Sequence, residues 1–249
     1  MFLSHDEESR RAGSVGKGVR HVDSTVSMLD NPIWHSLNTR HAHLAIENSM
    51  ARRYPPQVTP FIAVREASKR AAADLNAIVE DGERVGILGV IPPLGWSIVR
   101  EIEIHQYVRP ESLPAEPDPE AILLTEEHIP AMLELTALVY PAYFRPETAR
   151  LGDYFGFLEG GRLYAMAGIR MAMDGHQELS AICTHPQFRG QGLAGRLTRH
   201  LVHQVQNQGD VAFLHTESDN PAKGMYEKLG FALHQALPFL VLERQALER

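Results

Sequence analysis

Arg189-Gly190-Gln191-Gly192-Leu193-Ala194 is a short glycine-containing turn that opens directly onto an amphipathic helix, and no other stretch limits the fold so tightly. Upstream, Glu178–Thr184 reads as a strand that His185-Pro186 ends. Downstream, Leu193, Leu197, Leu201 and Val205 recur on one helical face. A strand, a turn without bulky side chains and a helix N-terminus together make an anion site. Free backbone N–H groups point outward there, and the helix dipole favours negative charge. Gly190 and Gly192 allow the backbone to approach a phosphate where a Cβ would collide.

The kind of phosphate follows from the surroundings. No Gly-Lys-Ser/Thr follows the glycines, so the turn is not a P-loop, and their spacing does not fit the GxGxxG of a dinucleotide fold. About thirty residues on, Asn220-Pro-Ala-Lys-Gly-Met-Tyr226-Glu-Lys-Leu-Gly230-Phe231 forms a second motif, joined to the first through a strand from Val211 to Thr216. With Arg189, Gly192 and Ala194 at the marked positions of [Arg/Gln]-x-x-Gly-x-[Gly/Ala], the pair resembles the GNAT N-acetyltransferase superfamily over residues 120–245. Within it, the run after the turn is similar to the glycine N-acyltransferase-like branch, in which an additional N-terminal domain precedes the GNAT domain.

Composition is compatible with this. A chain of 249 residues, 44% hydrophobic and 22% charged, suits one large domain or two small ones. A formal charge of −7 with no basic face argues against a nucleic-acid partner. Cys183 is the single cysteine, so no internal disulfide can form and a reducing compartment is expected. No apolar run approaches the ~20 residues that span a bilayer, and the first residues lack the pattern of a signal peptide, so the expectation is a cytoplasmic protein without membrane contact.

The expected class is α/β with a mixed sheet: a GNAT fold in residues 120–249, preceded by a smaller α/β domain at 28–109. Residues 1–27 read as a flexible tail, in which Gly13–Gly18 only faintly suggests a phosphate loop. Residues 110–119 alternate proline with acidic residues and read as a stiff, solvated linker. In the first part, a helical pattern runs from Asn31 to Arg53 and another from Lys69 to Glu80, with strands at Phe61–Val64, Val85–Val90 and Ile98–Val108. The Gly160-Gly161 pair marks a hairpin. By position, the N-terminal segment is expected to wall the acceptor side of the cleft.

The resemblance implies acetyl-CoA as co-substrate, an amine acceptor and direct acyl transfer, with no metal. Its phosphates would sit on Arg189, Gly190, Gln191, Gly192, Leu193 and Ala194, and its pantetheine arm along Ile182, Cys183 and Thr184. Tyr226 matches the tyrosine that protonates the coenzyme thiolate, although the same register suits a core aromatic. Asn220 could touch the coenzyme arm and also caps the helix that Gly230 ends. Glu178 is the general-base candidate by position, and an ordinary strand carboxylate otherwise; His176, His185, His215 and Glu217 are further candidates for the same part. His41 and His43 do not share a helix face, which disfavours a metal site with His35. A non-catalytic acyl-CoA-binding sensor is the rival reading, since it would keep the same turn.

Overall fold

Two adjacent glycines with positive φ, Gly160 at 58° and Gly161 at 80°, supply a two-residue turn whose twist matches the strands it joins. It links β7 (Tyr154–Glu159) to β8 (Arg162–Met173) as an antiparallel hairpin. Gly175, at φ 76°, turns β8 back into β9 (His176–Thr184). The computed structural model describes residues 27–90, 95–110, 113–139, 141 and 144–244. The Gly13–Gly18 segment and the rest of the expected tail up to residue 26 lie outside them.

The main sheet has eight strands, and its order is not the chain order. Besides β7–β9 it holds β4 (Arg84–Leu88), β5 (Trp96–Val108), β6 (Ile122–Leu124), β10 (Val211–Glu217) and β11 (Ala232–Arg244). They run β4-β11-β5-β10-β9-β8-β7-β6. β10 pairs parallel with β9, while β5 pairs antiparallel with β10 on one side and β11 on the other. The parallel pair needs a crossover, which α4 (Leu193–Asn207) supplies. The fold is therefore mixed α/β, as the sequence implies.

Strands from either side of residues 110–119 thus share one sheet. Among its described residues that proline-rich stretch is mostly exposed, and it also touches α4. Arg196 forks onto Asp118 at 2.7 and 2.8 Å, the Asp118 N–H donates to His200 at 3.1 Å, and Gln206 donates to the Leu113 carbonyl at 2.8 Å.

Four α4 side chains, Leu193, Leu197, Leu201 and Val205, are buried against Ala165, Ala167, Leu179, Ala212 and Leu214 of the sheet. Each such burial contributes roughly 1.5–3 kcal/mol. The opposite face, with Met171, Met173, Phe213 and Phe239, is covered by Leu29, Ile33, Leu37, Tyr54 and Phe61 from the N-terminal segment.

That segment differs from its periodicity. The helical pattern over 31–53 is realised as α1 (Pro32–Asn38), which Asn31 caps at Trp34 N–H, and a single 3-10 turn at Ala42–Leu44. Ser36 breaks it. Its carbonyl accepts from both Thr39 and His41, and its hydroxyl joins a buried knot with His41 and Tyr54 at 2.9–3.0 Å. The chain then forms a small sheet of β1 (Ile46–Glu47), β2 (Ala51–Arg53) and β3 (Ile62–Val64), before α2 (Lys69–Asn76). The remaining α-helices among the described residues are α3 (Ile129–Val139) and α5 (Lys223–Lys228).

Candidate active site

β9 and β10 pair over only four positions, from His176↔Val211 to Leu179↔Leu214, and then part. Ala181 is why β9 leaves. It sits at φ 51°, the one positive-φ non-glycine among the described residues, inside a bulge where Ser180 and Cys183 face Gly168 and Met166. β10 is held straight by β5 as far as Glu217↔Ile104. A wedge opens between them, a cavity of about 160 Å³ lined by Ser180, Ile182, Cys183, His215, Thr216, Asn220 and Tyr226.

A second hollow, of about 320 Å³, continues from it. Ile182 and Cys183 line both, and the hollow runs on past Thr184 to Arg189, Gly190, Gly192, Leu193 and Ala194. Gly190 (φ 80°) and Gly192 (φ 75°) take the left-handed conformation, and a Cβ on either would meet no heavy atom within 4 Å. The glycines are required by backbone conformation, and the space around them is open. Gly192 caps α4 with no side-chain acceptor, so the first-turn N–H groups face outward uncapped. Thr184 Oγ1 is buried along this groove with no protein partner. Gln191 lies exposed at the tip of the turn, and Arg189 is exposed beside it.

Tyr226, on α5, lines the wedge and is 7% exposed, edge-on to Phe231. Its helix ends as the sequence suggests: Gly230 N–H bonds to Glu227 and Phe231 N–H to Tyr226, with Gly230 at φ 88°. Asn220 Oδ1 accepts from Ala222 N–H at 2.8 Å, so it closes the turn before α5, whose first residue is Lys223. Cys183 is buried, and burial pushes its thiol up to about 12, which leaves no thiolate for covalent chemistry.

Glu178, the residue expected to accept the proton, sits in a buried ion pair. It is fully buried, with one carboxylate oxygen 2.9 Å from Arg170 Nε and the other bonded to Arg170 and, at 2.7 Å, to His215 Nδ1. Burial alone would raise its pKa, but the Arg170 charge and the hydrogen bonds from Arg170 and His215 hold it down at about 2. Such a carboxylate is a weak base.

His215 therefore stands at the chemical centre of the wedge. Nδ1 faces Glu178, and the Gln106 side-chain amide donates to Nε2 at 2.9 Å, marking Nε2 as the lone-pair end. His185 and His176 do not share this place. His185 Nδ1 accepts from Gln187 N–H and caps the short turn after β9, whereas His176 begins β9, at the end where that strand still pairs with β10. Glu217 lines the far side of the gap. His41, in the Ser36–Tyr54 knot, is held by burial at about 4, and no set of three metal-ligating side chains is grouped among the described residues.

Two further residues complete the wedge. Arg170 is the one charge in the apolar run Leu163–Met173, a sign that a buried partner exists, but its motif-free surroundings do not mark it as part of a site. Thr216 Oγ1 is buried without a partner at the wall of the gap, and no local pattern announces it.

The FR47-like protein family matches residues 154–239. A protein of known structure from Novosphingobium aromaticivorans, assigned to the GNAT acetyltransferases, is 31% identical. Its superposition covers 88% of this chain and 100% of that one at a TM-score of 0.81. A GCN5-related N-acetyltransferase from Kribbella flavida shares the fold at 17% identity and a TM-score of 0.57, over 86% of this chain and 93% of that one. No curated protein matches the chain in sequence.

Proposed function

Because the chain belongs to the GNAT superfamily of N-acetyltransferases, we propose that it moves an acetyl group from acetyl-CoA to an amine by direct attack. The observation that carries this reading is one continuous groove from the uncapped α4 N-terminus to the gap between β9 and β10.

The coenzyme pyrophosphate rests on the N–H groups of residues 189–194, where the helix dipole and open glycines favour it. The pantetheine arm lies along Ile182, Cys183 and Thr184, pairing with backbone that β10 has left. Asn220 borders the arm. The thioester then lies in the wedge, where N–H groups freed by the bulge at Ala181 polarise its carbonyl.

The acceptor ammonium, of pKa ~10.4 when free, must first lose a proton. His215 Nε2 receives it as the Gln106 amide N–H that donates to this nitrogen gives way, with Glu178 stabilising the imidazolium. The nitrogen lone pair attacks the thioester carbon, the tetrahedral intermediate sheds the second N–H proton to solvent, and the C–S bond breaks. The departing thiolate takes its proton from the Tyr226 hydroxyl, which solvent restores. Glu178 and Arg170 are positioning residues in this scheme.

The test is coenzyme-thiol release from acetyl-CoA against a panel of amines, with calorimetric titration of the coenzyme alongside. Acceptor-dependent release supports the reading. Tight binding with no release from any acceptor favours an acyl-CoA sensor, and absence of binding removes the proposal.

A further inference from the structure

Behind the wedge lies a third hollow, on the sheet face that the N-terminal segment covers. It measures about 100 Å³ and shares Arg170, His215 and Thr216 with the wedge. Its walls are apolar on the side away from β10, with Ile33, Phe61, Leu88, Ile102, Ile104 and Phe239, while Glu217 of β10 lines it beside Thr216. Phe61 and Phe239 meet edge to face at 5.8 Å, and the Arg170 guanidinium lies 5.2 Å over Phe61. The Arg170 charge is matched by Glu178.

The hollow is thus amphipathic along one axis. Its polar end is the gap, where Thr216, 6% exposed, holds a hydroxyl with no protein partner and Glu217 adds a carboxylate to the lining. The far end offers nothing to a charge, and burying an unpaired ammonium there would cost several kcal/mol. An apolar cavity of about 150 Å³ accommodates benzene, so this smaller one suits a branched alkyl group or a single small ring.

We infer that the third hollow is an acceptor pocket for primary monoamines carrying a compact apolar group, with the nitrogen beside Thr216 Oγ1 and the apolar group between Phe61, Phe239, Ile102 and Ile104. This rests on the acyl-transfer reading and adds the substrate class to it. A diamine, an amino alcohol or a polar amino acid would have to bury its second polar group against those walls.

The experiment compares kcat/KM for isobutylamine, isoamylamine and benzylamine with that for ethanolamine, 1,4-diaminobutane and a lysine peptide. It uses the full chain, and amine binding is followed separately by calorimetry. The apolar amines should lead by at least about tenfold, the discrimination that one or two methylenes give in such a pocket. Ile102 is half-buried, so Ile102→Phe can extend into the hollow without overpacking the core. It should raise the isoamylamine KM about tenfold or more while acetyl-CoA affinity stays unchanged. Ile102→Ala, which enlarges the hollow, should shift preference toward benzylamine.

Preference for the polar or dibasic acceptors overturns the inference, as does indifference to both Ile102 variants. Coenzyme binding with no binding of any apolar amine overturns it too, and leaves acyl transfer standing. Failure of acetyl-CoA itself to bind sinks both.

Discussion

At Glu178 two opposed forces meet, and their balance decides what the residue can do. Burial pushes a carboxyl toward neutrality, while Arg170 and His215 together hold it ionised at about 2. In the proposed mechanism the proton-accepting part is given to the imidazole, which that carboxylate steadies. Replacing His215 by Gln should lower kcat by about 10²-fold, with acetyl-CoA affinity kept. Tyr226→Phe should cost a similar factor in kcat through slower thiolate departure, again without loss of coenzyme binding. Unchanged turnover in either variant removes that side chain from the mechanism. The candidate site is partly legible at this scale. Tyr226 and Glu178 stand in motifs and strands that a linear reading finds, and the structure brings both to the wedge region. Arg170 and Gln106 reach it through strand pairing across 8 and 109 residues of chain, to Glu178 and His215 respectively, which no local pattern encodes.

Among the elements, α4 and its glycine turn are the most readable, because helical spacing, an apolar stripe and left-handed glycines are all local properties. Gly192, at φ 75° with open space about it, can be tested directly. Gly192→Val should cost about 1–2 kcal/mol in folding stability from the left-handed backbone alone. Its effect on acetyl-CoA should be larger, a rise in Kd of tenfold or more, since the added side chain stands where the phosphates approach. Calorimetry and urea unfolding on the same variant separate the two effects; an unaltered Kd would show that the turn does not carry the phosphates. The first helix departs from its pattern for an equally physical reason. The apolar period continues past Asn38, but Ser36, His41 and Tyr54 satisfy one another in a buried knot that folds the chain back. That knot is non-local, so periodicity cannot reveal it.

For the whole molecule, the placement of β5 between β10 and β11 matters most. Composition marks residues 110–119 as a break, yet the strand before them completes the sheet after them, and the same N-terminal segment walls the third hollow. Pairing between distant strands depends on the entire topology, which explains why composition points elsewhere. The fold also stores acid sensitivity in two buried groups. His41, ordinarily near 6.5, is held at about 4, so below pH 6.5 the unfolded chain binds a proton that the native state refuses until about pH 4. Glu178, ordinarily near 4.5, is held at about 2, so its contribution is complete above pH 4.5 and is lost as pH falls toward 2. Both depressions make the native state weaker in acid, each by roughly 2–3 kcal/mol across its window. Urea midpoints should fall first between pH 6.5 and 4, and again below 4.5. Equal midpoints at pH 7 and pH 4 would contradict the His41 assignment.

The central claim is that one groove, from the α4 N-terminus to the gap between β9 and β10, holds the coenzyme. The most direct measurement is the backbone amide spectrum of the ¹⁵N-labelled protein during an acetyl-CoA titration. The account predicts saturable shifts at Gly190–Ala194 and Ile182–Thr184, with the amides of β1–β3 unmoved. Saturable binding that leaves the 189–194 amides in place, or no binding at all, would contradict it.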